Sequence, residues 1–386
     1  MKSIRRPIWL VILVILGSIA SPRATLAQTS RTVYVDDSGT PVASRSGACG
    51  SPNYALLQQA VDDLSATRII VCKGTYVEQV AVARSLTIEG RSGAVLQSPL
   101  VPSVGGAIVA FVGVQQSRLR GLTIRHDSAS GDTSVAGVIV RDGAQVTIAH
   151  NRFRNMYGGI LVSNARADIS DNSIEWVHSE AINVSGSNTF AMIDGNTFRG
   201  RGVEGGLIGI DIREGGHGDV EDNTIVGNGQ DGGIGIVVDL TDQVSIRDNT
   251  VTRSGRGVVL GDETGDVEVR SNVIRNNASD GIFLTDAGFN TIVENEVSYN
   301  GGSGIWVETA IDDPNAFQNV IATNRIHDNL GDGIHIGAGV SGATVKENKV
   351  ANSGGLDIVD LNGMPLINTY ADNSCATSAP AGLCDQ

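Results

Sequence analysis

The sequence is poor in aromatic residues and in long apolar runs. Phe, Trp and Tyr make up only 4% of its 386 residues, whereas glycine occurs 49 times. This composition favours a body of thin strands and many turns over a wide core filled by large rings. Beyond residue 20, no apolar run approaches the ~20 residues that a membrane-spanning helix needs. We therefore expect no transmembrane segment after the N-terminal region.

Positive charge is also scarce. Lys and Arg number 28 against 42 Asp and Glu, which gives a formal net charge of −14. Nucleic-acid binding depends on the neutralisation of phosphates by cations, so we expect no nucleic-acid partner. The acidity fits a soluble extracellular protein. It is explained either by solubility alone or by the binding of Ca²⁺, a possible cofactor, through carboxylates.

The first 27 residues have the pattern of a secretion signal. Lys2, Arg5 and Arg6 precede an apolar run over residues 8–20, and the segment ends at the small residue Ala27. Such a run is too short to span a bilayer and is typical of a signal peptide that is removed on export. A retained N-terminal anchor is the alternative. We expect an exported protein, whether extracellular, at the cell surface or periplasmic.

The most abundant feature is an internal repeat of about 24 residues. Each copy has an Asn followed two positions later by a β-branched residue, as in VEDNTIVGN and IVENEVSYN, and then a Gly-led apolar group such as GIVV or GIWV. The key residues are Asn151, Asn172, Asn196, Asn223, Asn249, Asn272, Asn295, Asn324, Asn348 and Asn373. Such a period predicts a solenoid of about ten or more rungs. We expect each Asn to occupy a sharp turn with left-handed backbone geometry and to stack in a hydrogen-bonded ladder.

Only four cysteines are present, Cys49, Cys72, Cys375 and Cys384. An even number in an exported chain predicts disulfides, and four cysteines permit three pairings. Two lie before the repeats and two after them. Because a solenoid holds its ends far apart, we expect the pairs Cys49–Cys72 and Cys375–Cys384. No Cys or His spacing is typical of a zinc site.

The region before the repeats predicts a cap. Residues 54–64 predict an amphipathic helix with Leu57, Ala60, Val61 and Leu64 on its apolar face. Such a helix would cover the apolar interior and open strand edges of the first rung. Strands are predicted at 32–35 and 68–72, whereas residues 91–135 have the least regular pattern.

The segment Gly74-Thr75-Tyr76-Val77-Glu78, placed after a helix and a strand, carries a family resemblance. This order resembles the opening of pectin methylesterases and of other secreted right-handed parallel β-helix proteins, and the repeats resemble those of the pectate-lyase-like superfamily. The resemblance implies an all-β, single-stranded, right-handed parallel β-helix with an N-terminal capping helix. It does not imply esterase activity, because the esterases' later catalytic segments have no counterpart here.

The chain therefore divides into four predicted segments. These are a signal peptide (1–27), an N-terminal cap with the first rungs (28–90), the β-helix repeats (91–371) and a C-terminal cap with its disulfide (372–386).

Strand alternation identifies two outward columns on the Gly-led strands. One column is Leu161, Asn183, Asp211, Val237, Val259, Phe283, Trp306, His335 and Asp357. The other is Ser163, Ser185, Arg213, Asp239, Gly261, Thr285, Glu308 and Gly337. The resemblance implies that this face is the floor of a polysaccharide-binding groove.

The first candidate site consists of Asn183, Asp211, Arg213 and Asp239 on adjacent rungs. Asp211 and Asp239 could act as acid and base in glycoside cleavage or in proton abstraction from a uronate, or they could bind Ca²⁺. Arg213 would stabilise the developing anion, and Asn183 would contact the sugar. The alternative is a solvated face with an Arg–Asp ion pair.

The second candidate site consists of Phe283, Trp306, Glu308 and His335. Exposed rings of this kind form a platform on which a sugar can stack, and Trp306 would position it. The alternative is that the turn over residues 308–317 covers the rings.

The sequence thus predicts an exported β-helix protein that acts on or binds an extracellular polysaccharide. As an enzyme it would be a lyase, an epimerase or a glycoside hydrolase. The alternative is a non-catalytic surface adhesion or carbohydrate-binding scaffold, and the sequence does not decide between them.

Overall fold

The computed structural model describes residues 30–38, 41, 47–99, 106–126, 135–200, 207–309 and 318–385. The predicted secretion signal lies outside these residues. No helix within them is long and apolar enough to cross a membrane.

The described residues form one short helix and 37 strands. In the first half of the chain the elements are β1 (Thr32–Val35), α1 (Leu57–Asp62), β2 (Arg68–Val71), β3 (Gly74–Val77), β4 (Val80–Val82), β5 (Thr87–Gly90), β6 (Ala94–Gln97), β7 (Ala107–Val112), β8 (Ser117–Arg120), β9 (Thr123–Arg125), β10 (Ala136–Arg141), β11 (Gln145–Ala149), β12 (Arg152–Arg154), β13 (Gly158–Ser163), β14 (Arg166–Ser170), β15 (Ser173–Glu175), β16 (Glu180–Ser185), β17 (Phe190–Asp194) and β18 (Thr197–Arg199). In the second half they are β19 (Ile208–Arg213), β20 (His217–Glu221), β21 (Thr224–Asp239), β22 (Val244–Arg247), β23 (Thr250–Leu260), β24 (Glu268–Arg270), β25 (Val273–Arg275), β26 (Ile282–Thr285), β27 (Thr291–Val293), β28 (Glu296–Ser298), β29 (Ile305–Glu308), β30 (Val320–Ala322), β31 (Arg325–His327), β32 (Ile334–Ile336), β33 (Thr344–Lys346), β34 (Lys349–Ala351), β35 (Ile358–Asp360), β36 (Thr369–Ala371) and β37 (Ser378–Ala379).

The strands stack in three parallel faces. The first face is a 14-stranded sheet that runs from β1 through β2, β5 and β8 to β36. The second face runs from β3 through β6, β9 and β12 to β34, and the third from β4 through β7, β10 and β13 to β37. The long strands β21 and β23 turn the corner between the second and third faces and join them into one sheet. The predicted parallel β-solenoid of at least ten rungs is confirmed.

One apolar core fills the interior along the whole stack. Val33 in β1 and Ile358 in β35 belong to the same buried cluster. The glycines that open the third-face strands are required by close packing. A Cβ built on Gly281 would lie 2.7 Å from the carbonyl oxygen of Gly304, and one on Gly304 would lie 2.6 Å from that of Gly333. Any larger residue would push neighbouring rungs apart, which accounts for the repeated glycine in the sequence.

The asparagine ladder is present and is buried. The backbone N–H of Asn249 donates to Asn272 Oδ1 (2.9 Å), its Nδ2 donates to the same oxygen (3.0 Å), and the pattern repeats from Asn151 to Asn373. The predicted left-handed geometry belongs to a different position. The residue before each Asn has positive φ, for example Asp248 (57°) and Asp222 (53°). That preceding residue makes the turn, which leaves the Asn side chain pointing inward along the stack.

The N-terminal helix is shorter than the sequence predicts. It spans Leu57–Asp62 and buries Leu57, Ala60 and Val61, whereas Leu64 is 78% exposed. The Glu78 carboxylate accepts hydrogen bonds from the backbone N–H groups of Leu57 (2.8 Å) and Gln58 (2.9 Å). Glu78 thereby satisfies two free donors of the first helical turn. The glutamate that ends the segment Gly74-Thr75-Tyr76-Val77-Glu78 therefore has a structural role.

The expected irregularity of residues 91–135 is not found in their described part. Strands β6 to β9 pair in register with their neighbours, as in Val95↔Thr123 and Ala107↔Ala136. Both predicted disulfides are confirmed, Cys49–Cys72 with Cα atoms 5.6 Å apart and Cys375–Cys384 with Cα atoms 5.2 Å apart. They lie at the two ends of the stack.

Candidate functional site

The third face carries the predicted outward columns. The register pairs Asn183 with Asp211, Phe283 with Trp306, and Trp306 with His335 on successive strands. The end of the first column is corrected, because His335 pairs with Val359 and not with Asp357. In this rung Asp357 takes the place of the strand-leading glycine, so the outward position lies two residues later than the sequence pattern predicts.

Asp211 is at the centre of the first cluster and is fully buried. It lies in β19, and its Oδ2 accepts a hydrogen bond from Asn183 Nδ2 on the preceding strand (3.1 Å) and another from the Arg213 guanidinium. Its other oxygen, Oδ1, is buried without a hydrogen-bond partner. Burial raises the pKa of Asp211, and Arg213 opposes that rise. The structure therefore gives Asp211 no accessible surface from which it could contact a sugar.

Arg213 connects the other members of this cluster. It pairs in register with Asp239 on the next strand, and a guanidinium nitrogen lies 3.9 Å from Glu180 Oε1. Its Nε is buried without a partner. Asp239 is only partly buried, and burial together with the charge of Asp262 raises its pKa. One guanidinium thus faces three carboxyl groups, of which Asp239 and Glu180 keep exposed surface.

The middle of the outward column forms a small apolar cluster of its own. Val237, Val259 and Phe283 are almost completely buried and pack with Ile208, Ile234 and Trp306. Phe283 is only 4% exposed, and the guanidinium carbon of Arg256 lies 3.8 Å from its ring centre. The prediction that Phe283 offers an open stacking surface is therefore wrong. The turn predicted to cover it lies, from residue 310 to 317, outside the described residues.

The second cluster begins where this apolar strip ends. The ring of Trp306 is half-buried and makes an edge contact with Phe283 at 6.0 Å between centroids, and it lies 5.0 Å from the ring of His335. His335 Nδ1 is 2.7 Å from Asp332 Oδ2. Burial raises the pKa of Glu308, although the nearby Arg256 opposes the rise. Trp306, Glu308 and His335 therefore lie together, as the sequence predicts.

The sequence does not single out Asp332, a member of the second cluster, and it predicts a flanking turn at Glu180, which the structure places in a strand. Asp332 precedes His335 by three residues, and Glu180 opens the strand that contains Asn183. The Asp-x-x-His spacing is a signal that could have identified the first pair. Among the described residues, no three His, Cys, Asp or Glu side chains come close enough together to hold a metal ion.

Comparison with known proteins identifies the architecture. The family model described as "Right handed beta helix region" matches residues 158–313 and 235–375, which together cover more than half of the chain. None of the curated proteins matches the sequence.

Several solved structures share the fold at low sequence identity. The periplasmic alginate epimerase AlgG superimposes with a TM-score of 0.51 at 15% identity, over 80% of this chain and 77% of that one. The A-module of the Azotobacter vinelandii mannuronan C-5 epimerase AlgE4 gives 0.51 at 14%, over 83% and 93%. A variant tailspike protein of an E. coli bacteriophage, in complex with a pentasaccharide, gives 0.55 at 12%, over 79% and 62%. At these identities the likeness to solved structures establishes the fold alone, and this fold agrees with the pectate-lyase-like resemblance. Because the family model matches more than half of the sequence, the chain belongs to the right-handed β-helix family.

Proposed function

We propose that the protein is exported and binds a polysaccharide along the third face, and that Asp211, Arg213 and Asp239 form its active site. The observation that carries this proposal is the pair of unpartnered buried atoms, Asp211 Oδ1 and Arg213 Nε. Buried polar atoms in native proteins are nearly always hydrogen-bonded to protein or water. Two such atoms in side chains that are hydrogen-bonded to each other on an outward face suit a site that is completed by a ligand or by ordered water.

The geometry suggests a distinct role for each residue. Asp239 is the partly exposed carboxyl with a raised pKa, so it suits proton transfer. Arg213 suits stabilisation of a developing negative charge. Asp211 is fully buried and bonded to both Arg213 and Asn183, so its role is to hold the guanidinium and the amide in place. Trp306 would contact the sugar chain further along the face.

The charge of the cluster limits the substrate. Three carboxyl groups surround one guanidinium, so a polyanion would be repelled unless carboxyl groups are protonated or Ca²⁺ lies between them and the substrate. A neutral glycan, or an acidic glycan with Ca²⁺, is therefore favoured. The similar solved structures include alginate epimerases and a tailspike bound to a pentasaccharide, which supports a carbohydrate as the ligand. Two intact disulfides suit the oxidising compartment that export implies.

The test is an activity screen of residues 28–386 on polygalacturonate, alginate and neutral glycans, with and without Ca²⁺. New reducing ends with absorbance of unsaturated products indicate a lyase, and new ends alone a hydrolase. Epimerisation is followed by NMR. We expect Asp239→Asn and Arg213→Ala to abolish the activity found, and Asp219→Asn, an outward carboxylate of the first face, to leave it unchanged. Full activity of Asp239→Asn and Arg213→Ala would remove this site.

A non-catalytic scaffold is the second candidate function. The observation in its favour is the burial of Val237, Val259 and Phe283, because the protein's own side chains occupy the middle of the face. A scaffold would bind a glycan in the same screen without any product, and the absence of both binding and turnover at the third face would refute both functions.

A further inference from the structure

A second polar depression lies on the second face, on strands β28, β31 and β34. It has a volume of about 340 Å³ and opens to solvent. Its polar lining consists of Tyr299, Arg325, His327, Asp328, Lys349, Asn352 and Ser374, and the one carboxylate among them, Asp328, accepts hydrogen bonds from within the site, including one from Asn352 Nδ2 (3.2 Å). None of these residues belongs to the third-face clusters.

His327 is held at one side of this depression. Its Nδ1 lies 2.7 Å from Asp328 Oδ2, and its Nε2 is buried without a hydrogen-bond partner. The carboxylate of Glu296 comes no closer than 3.8 Å to Nε2, which is beyond hydrogen-bonding distance. The imidazole is thus fixed in orientation by its contact with Asp328 and supports the Tyr299 ring at the edge of the depression.

Two cations lie beside the imidazole. Arg325 and Lys349 are exposed and pair in register on adjacent strands, so their backbones are ~4.8 Å apart. Like charges placed opposite each other destabilise a sheet. Within the part of the chain that the structure describes, neither side chain forms an ion pair. An anion bound between them would relieve their repulsion.

Tyr299 supplies an apolar surface at the same place. Its side chain is 55% exposed, and its ring meets the His327 ring edge-on at 5.7 Å between centroids. Its backbone has φ of 56°, in the left-handed region that bulky residues rarely adopt. This turn geometry presents an aromatic ring to solvent, beside the two cations.

We propose that this depression binds a carboxylate-bearing sugar, that is, a uronate residue of an acidic polysaccharide. Arg325 and Lys349 bind the carboxylate, the Tyr299 ring packs against the pyranose, and Asn352 faces the hydroxyl groups. The third-face cluster, with its excess of carboxyl groups, disfavours such an anion without Ca²⁺. The second face therefore provides an acidic-glycan site that does not depend on the proposed function.

The experiment is calorimetric titration with trigalacturonate in the absence of Ca²⁺, with its methyl ester as the neutral probe. We expect trigalacturonate to bind and the ester to bind at least about tenfold more weakly, because charge-assisted hydrogen bonds are lost. The variants Arg325→Gln and Lys349→Gln should each weaken binding by a similar factor. Lys346→Gln, on the first face, is the matched control and should bind as the wild type does.

The same titration on Arg213→Ala separates the two sites. Unchanged trigalacturonate affinity in Arg213→Ala, with loss in Lys349→Gln, supports the second-face site whether or not the third face is active. Tyr299→Phe should retain affinity and Tyr299→Ala should lose it. No binding to the wild type, equal binding of the ester, or tighter binding of a sulfated trisaccharide than of trigalacturonate would overturn the uronate assignment.

Discussion

Replacement of Asn249 by Ala tests how strongly the ladder stabilises the fold. Asn249 is buried at the middle of the stack, and its Nδ2 donates to the carbonyl oxygens of Val220 (2.9 Å) and Arg247 (2.9 Å) as well as to Asn272. Its Oδ1 accepts from both the backbone N–H (2.9 Å) and the Nδ2 (3.0 Å) of Asn223. Alanine removes all of these side-chain bonds.

The expected cost follows from the groups that lose a partner. The Asn223 N–H becomes a buried donor without an acceptor, which costs about 1–3 kcal/mol. The Asn223 Nδ2 keeps the carbonyl oxygens of Ile193 and Glu221, so its loss is smaller. Each further hydrogen bond contributes about 1 kcal/mol net. We therefore expect the free energy of unfolding to fall by about 3–5 kcal/mol.

The assay is urea unfolding monitored by far-UV circular dichroism, with Asn188→Ala as the control. Asn188 is exposed in a turn, so its replacement should change stability by less than about 0.5 kcal/mol. Combining Asn249→Ala with Asn272→Ala should cost less than the sum of the single changes, because the bonds between them are already lost. If Asn249→Ala costs no more than Asn188→Ala, the ladder does not stabilise the protein as argued here.

Three further substitutions have defined outcomes. Glu78→Ala removes both acceptors at the start of α1 and should destabilise the cap by about 1 kcal/mol. Amide hydrogen exchange should become faster at Leu57 and Gln58 but not in β36, and unchanged exchange would contradict the capping role. Hydrogen bonds from Arg120 and Arg68 lower the folded-state pKa of Glu89, so the stability that this ion pair contributes is present above about pH 4.5 and is lost as the pH falls. Glu89→Gln should reduce the fall of the melting temperature below pH 4.5, and an unaltered pH profile would argue against this contribution. Burial raises the folded-state pKa of Asp239, so the folded state binds the proton more tightly and stability falls as the pH rises above about 3.8. The difference in melting temperature between Asp239→Asn and the wild type should therefore be more positive at pH 7 than at pH 3, and equal differences would contradict this.

Most of the fold can be predicted from the sequence repeat. A period near 24 residues, an inward β-branched residue and a glycine before each third-face strand predict the stacking and its register. The sequence predicts left-handed geometry at the wrong residue, because Asn is among the non-glycine residues enriched in that conformation. In this chain Asp, Glu, Ser and Thr, among others, take that conformation, as at Asp248 and Thr323, and the following Asn is selected by its amide.

The sequence also predicts too long a helix, because its periodicity does not show where the helix begins and ends. Residues 54–64 have the periodicity of three helical turns, but the Glu78 carboxylate fixes the start at Leu57, and the backbone leaves the helix at Asp63. For residues 91–126 the sequence predicts too little regular structure. Their repeat has no key asparagine, although their strands β6 to β9 stack as the others do.

At the candidate site, the alternation of side chains along a strand predicts which way each side chain points but not whether it is exposed. Asp211 and Phe283 do point away from the core, as their register requires, yet both are buried. An outward residue of a solenoid is covered or uncovered by the turns of neighbouring rungs, and these turns vary in length and sequence. Strand residues also provide cover: Arg256 in β23 lies over the ring of Phe283, 27 residues further along the chain, and no periodic pattern encodes this contact.

The division between core and turns explains why chemistry can collect on the outer faces of this fold. The ladder, the inward Ile and Val residues and the strand-leading glycines fix the stack from inside, so outward positions are free to vary without loss of register. The three faces use this freedom differently. Glu89 on the first face accepts hydrogen bonds from Arg68 and Arg120, whereas Asp211 Oδ1 on the third face is, among the described residues, the one carboxylate oxygen that is buried without a hydrogen-bond partner. Arg120 Nε on the first face also lacks a partner, so an unpartnered guanidinium nitrogen does not distinguish the two faces. A buried carboxylate oxygen without a donor suits completion by a ligand or by ordered water. This difference, and not the presence of charge, makes the third face the place to look for turnover.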